Sequence, residues 1–138
     1  MRILLTLFLS AASLLAGDPI VMVVSPNGPF TKLSRANAVD LLKGDATQIG
    51  GKRVTLVLTK PSFTLRSLPA VTYGLLGLAP TAYLALTKQA KMRGIPLDPQ
   101  FMDTPEAVEA SVAANSAAVG FLLKAEAKGA GVTLISLD

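Results

Sequence analysis

The sequence predicts a single α/β domain, a mostly parallel sheet flanked by helices to give three layers. Four short runs rich in aliphatic and β-branched residues, at 20–24, 54–58, 119–123 and 132–137, alternate with stretches that carry helix start and stop signals. The first three runs are apolar almost without a break, the pattern of strands covered on both faces. The third observation is size. A chain of 138 residues, 51% hydrophobic and 16% charged, fills one core, whereas two lobes of ordinary size take roughly 200 residues or more.

Taken in order, the chain opens with a leader. Met1-Arg2 supplies a positive charge, residues 3–15 are apolar apart from Thr6, Ser10 and Ser13, and Ala16-Gly17 is a small-residue exit before Asp18-Pro19. This is the layout of a secretory signal peptide over 1–17, and the run is short for a membrane span, which takes about 20 residues. An uncleaved anchor is the alternative, because Leu14 and Leu15 are poor residues near a cleavage point. The domain proper is then 18–138. Export of a domain that has no cysteine points to a periplasm, since small secreted domains elsewhere usually rely on disulfides.

Within the domain, residues 20–24 (Ile-Val-Met-Val-Val) form the first strand. Ser34 caps a helix that runs to Leu42 and stops at Gly44. Residues 54–58 form the second strand, and 68–76 are helical. Ala79-Pro80-Thr81 starts a further helix reaching Met92, with Lys88, Lys91 and Arg93 at the favourable end of its dipole and Gly94 and Pro96 beyond it. Thr104-Pro105-Glu106 places a cap, a proline and an acid where a helix begins, and that helix runs to about Asn115. Residues 119–123 form a third buried strand. Thr133 and Ser136 interrupt the last run, which suits a sheet edge.

Composition removes much chemistry. Histidine and cysteine are both absent, so imidazole bases, thiolate nucleophiles, disulfides and thiolate or imidazole metal sites go together. No metal, cofactor or enzymatic activity is expected. The formal charge is +4, and losing Arg2 with the leader leaves twelve cations against nine acids, or +3. So small an excess gives no footprint for nucleic acid.

The loop at 59–67, Thr-Lys-Pro-Ser-Phe-Thr-Leu-Arg-Ser, leaves the carboxyl end of a strand and enters a helix. Ligands collect at that edge of open α/β sheets. Ser62, Thr64, Lys60 and Arg66, with free amides at the helix start, could cradle an anion. Equally, Ser62, Thr64 and Ser67 could only cap turns, with the cations solvated. Asn27, in the Ser25-Pro26-Asn27-Gly28-Pro29 turn, is expected at the same edge as a ligand donor or an Asx-turn residue. Gly120 within a strand marks a close approach, by packing or by ligand. Glu106 and Glu109 read as dipole and surface residues. Lys60-x-Ser62 lacks the Ser-x-x-Lys spacing of acyl-transfer sites.

Several segments together resemble the small single-domain relatives of periplasmic phosphate-binding proteins, the substrate-binding components of phosphate ABC transporters. They are Val-Val-Ser-Pro-Asn at 23–27, Leu-Ser-Arg-Ala-Asn-Ala-Val-Asp-Leu-Leu-Lys-Gly at 33–44, Ser-Phe-Thr-Leu-Arg at 62–66 and Asn-Ser-Ala-Ala-Val-Gly-Phe at 115–121. The resemblance spans 18–138 and implies one lobe of a periplasmic-binding-protein-like fold. It also implies phosphate or another small oxyanion as ligand, touched by Ser62, Thr64, Lys60, Arg66 and Asn27, and a membrane transporter as partner. The family's phosphate loop resembles Arg-x-x-Gly-Ser-Gly-Thr. Here Ser62 and Thr64 match, Leu58 stands in the Arg position, and Pro61 and Phe63 stand where the glycines would be. Two readings follow. One is a secreted module that binds an oxyanion weakly at its loop ends. The alternative is a ligand-free interaction or regulatory module that engages a receptor, a transporter or a copy of itself.

Overall fold

A computed structural model describes residues 19–137, so the leader expected at 1–17 lies outside the described residues. The elements are β1 (Ile20–Val24), α1 (Arg35–Lys43), β2 (Gln48–Ile49), β3 (Lys52–Arg53), β4 (Thr55–Thr59) and α2 (Ser67–Val71). A π-helical turn (Thr72–Leu76) continues α2, followed by α3 (Pro80–Met92), β5 (Gln100–Met102), α4 (Pro105–Ala114), β6 (Ala118–Leu123) and β7 (Thr133–Ser136).

Five strands form one sheet in the order β5-β4-β6-β1-β7. β4 pairs in parallel with β5 and β6, while β1 lies antiparallel to both β6 and β7. Four strands therefore point one way and β1 the other. All residues of β1 and β6 are buried, which is why both read as continuous apolar runs. That pattern reports cover on both faces and says nothing of direction. β7 holds the edge expected of it.

Alternation across each strand sends side chains to two cores. Met22, Val24, Leu56, Leu58 and Phe121 pack with Leu41, Leu42, Leu68, Val71 and Tyr83, under α1, α2 and α3. Val21, Val23, Val57 and Leu122 pack with Val108 and Val112 of α4 on the other face. This is the three-layer arrangement expected. Tyr83 is fully buried, and its hydroxyl donates to the Leu42 carbonyl at 2.7 Å, tying α3 to α1. Burial pushes that phenol far above its ordinary range.

Local signals account for the helices. The Ser34 side chain accepts from the Asn37 amide at 3.2 Å, and Gly44 ends α1 at φ 82°. Thr104 caps α4 through the Ala107 amide at 3.1 Å. Arg35 donates to the Gly74 carbonyl at 2.7 Å, so the Leu-Ser-Arg segment supplies a core residue, a cap and a tie to the π-helical turn. At Gly120 a Cβ would come within 2.8 Å of Val108 Cγ1. The close approach is packing of α4 on the sheet. Two elements lay beyond the sequence pattern: β5, three residues long, and the β2–β3 hairpin, which turns through Gly50 and Gly51 at φ 55° and 82°.

Candidate functional site

The carboxyl ends of β4, β5 and β6 share one edge of the sheet, as their parallel register requires. The 60–66 loop, the turn after Met102 and the start of the β6–β7 connection meet there. Four of the five residues singled out from the sequence occupy this edge. Each already has work to do. Ser62 Oγ accepts from the Thr64 and Leu65 amides at 3.2 and 3.3 Å and lies 3.1 Å from Thr64 Oγ1. It closes a turn with its own hydroxyl, taking up amides an anion would need. Lys60 forms an exposed ion pair with Asp103 at 3.0 Å, the kind of surface pair that contributes roughly 0–1 kcal/mol.

Glu126 determines the chemistry of this edge. Both of its carboxylate oxygens accept from the Arg66 amide, at 3.1 and 3.0 Å, and Oε1 also accepts from Ser67 Oγ at 2.6 Å. Ser67 Oγ in turn accepts from the Leu123 amide at 3.0 Å. The donors at the start of α2, where the sequence suggested an anion cradle, thus hold an anion that the chain provides itself. The sequence reading missed Glu126. Its only signal is that it is the sole acid between Glu109 and Asp138.

Asn27 is a correction. β1 runs against β4 and β6, so the 25–29 turn emerges at the opposite edge, beside Ser116 and Ala117 in the turn that precedes β6. The expectation of a shared edge assumed that β1 was parallel. Glu109 is the second correction. It is 2% exposed, and its carboxylate accepts from the Lys128, Gly129 and Ala130 amides at 2.9–3.1 Å. Glu109 from α4 and Glu126 to α2 therefore pin the β6–β7 connection to both faces of the sheet. Glu106, by contrast, is a surface residue in an ion pair with Lys128 at 3.0 Å. The hydrogen bond from Lys128, with backbone hydrogen bonding second, holds its carboxyl below the usual carboxylate range. Among the described residues no cluster of three or more acids could hold a metal ion.

The chain has a phosphate-binding-protein-like fold. It is similar to an ABC-type phosphate transport receptor from Vibrio cholerae, at 20% identity and a TM-score of 0.55, over 87% of this chain and 46% of the receptor. It is also similar to PstS from Borrelia burgdorferi, at 17% identity and a TM-score of 0.63, over 88% and 47%. The chain thus spans about half the length of the solved structures it matches. No family model and no curated protein matches it.

Proposed function

We propose that this chain is an exported, periplasmic, non-catalytic module that keeps a phosphate-binding-protein-like lobe and acts by contact with another protein. The observation that carries the reading is the Glu126 carboxylate on the Arg66 amide and the Ser67 hydroxyl. A phosphate arriving there meets a like charge. Two unit charges about 4 Å apart repel by about 4 kcal/mol at a surface-like dielectric, or roughly three decades of affinity. The exported location rests on the signal-peptide pattern of residues 1–17. Exposed aromatics support the contact reading: Phe63 stands at the tip of the 60–66 loop, and Tyr73 on the π-helical turn is 59% exposed. Tyrosine and other aromatics are the usual anchors of protein interfaces.

A second reading is weak oxyanion binding by Lys60, Ser62, Thr64 and Arg66. The observation that favours it is the placement of two exposed hydroxyls, 3.1 Å apart, on a loop with two cations. Titration of the purified protein with phosphate and sulfate, followed by amide NMR shifts, separates the two. The proposal expects no saturable shift over residues 59–68 at millimolar anion. Saturable shifts confined to that loop would overturn it in favour of oxyanion binding.

A further inference from the structure

We propose that the opposite edge of the sheet, where Asn27 lies, carries a binding site for a small organic oxyanion. A cleft of about 530 Å³ opens there between the turn after β1, the β2–β3 hairpin and the α4–β6 turn. That volume falls within the 300–1,000 Å³ typical of small-molecule sites. Lys52, Arg53, Asn27 and Ser116 line it, and no carboxylate does. Among the described residues neither Lys52 nor Arg53 is in an ion pair. The contrast with the Ser62 edge is direct, since there an acid occupies the donors and Lys60 is paired.

The floor of this cleft is held in place. Ser25 is buried; its carbonyl accepts from the Gly28 amide at 3.0 Å and its hydroxyl from the Asn27 amide at 3.4 Å. Gly28 lies so close to the α4–β6 turn that a Cβ would sit 2.8 Å from the Ser116 carbonyl. That turn is fixed in its own right, because Asn115 Oδ1 accepts from the Ala117 amide at 3.0 Å and the Asn115 carbonyl from the Ala118 amide at 3.0 Å. Two pinned turns thus present an amide side chain and a hydroxyl, and the hairpin adds an ammonium and a guanidinium above them. Concave basic surfaces of this kind draw in anions, and guanidinium binds phosphate and carboxylate heads bidentately. Pro29 supplies an apolar wall, which suits an oxyanion on a small organic body over a bare ion.

The probe is phenyl phosphate, compared with inorganic phosphate, titrated into the purified protein with amide shifts as readout. Saturable shifts are expected at residues 27–28, 52–53 and 116–117, with 62–67 unmoved and phenyl phosphate the tighter ligand. Lys52→Ala/Arg53→Ala should weaken binding at least about tenfold. Lys88→Ala/Lys91→Ala, which removes the same charge from the exposed side of α3, should leave it unchanged. Equal weakening by both pairs, or no saturable shift at this edge, overturns the site. Shifts at 62–67 in place of 27–28 and 116–117 would overturn both this site and the proposed function.

Discussion

Glu126 and Glu109 show how much a single carboxylate can decide in a chain with few of them. Replacing Glu126 by Ala strips the acceptor from the Arg66 amide and the Ser67 hydroxyl, and we expect a loss of about 1–3 kcal/mol in urea unfolding. Glu126→Gln, which retains one acceptor oxygen, should lose less. Glu106 gives the pH prediction. Its carboxyl lies below the usual range because Lys128 bonds the ionised form, so the pair supports folding above the ordinary carboxylate range and that support fades as pH falls through the lowered value. Lys128→Ala should return the Glu106 titration, followed by carboxyl NMR shifts, towards its ordinary position. Thr59 makes the opposite case: its hydroxyl is buried with no hydrogen-bond partner among the described residues. Thr59→Val should therefore be neutral or stabilise by about 1 kcal/mol, measured by the same unfolding midpoint. None of the Glu126 contacts was legible in the sequence, because they join residues about 60 positions apart and no local pattern encodes such a pairing. Ser34 and Thr104 were legible because a cap and its amide are three residues apart.

At the scale of elements, what could be read was burial and capping, and what could not was direction and very short pairing. The apolar runs of β1, β4 and β6 announced strands, and Thr133 and Ser136 announced an edge. That β1 runs against its neighbours follows from long-range connectivity, and this one fact moved Asn27 to the other end of the sheet. β5 has only three residues, and its place is set by register with β4, Val57 opposite Gln100. α2 begins at Ser67, so Pro69 falls in its first turn, where a missing amide costs nothing. The contact between α4 and the sheet depends on Gly120. Gly120→Ala puts a methyl against Val108 Cγ1 and the Val57 carbonyl, 2.8 and 3.3 Å from an ideal Cβ. Overpacking of this order costs about 1–3 kcal/mol, to be read as a lowered unfolding midpoint with an unchanged far-ultraviolet spectrum.

Across the whole molecule, the described residues form one lobe with its helices on both faces and its loops at two distinct edges. Capture of an anion by closure needs a second wall, which these residues do not supply, so any affinity must come from one surface. The β6–β7 connection braces that lobe across the sheet, joined to α4 through Glu109 and to α2 through Glu126. One further pairing bears on how such a lobe relates to longer chains. β1 enters and β7 leaves at the same edge on neighbouring strands, and the Leu137 amide donates to the Ile20 carbonyl at 3.3 Å. Entry and exit side by side make the lobe a cassette, one that can be spliced into a host polypeptide or lifted out without rethreading its sheet. A circular permutant that joins residue 137 to residue 19 through a short glycine linker and opens the chain between Gly50 and Gly51 should fold to the same amide spectrum outside the hairpin. A collapsed spectrum would mean that the hairpin, and not the junction, keeps the cassette closed.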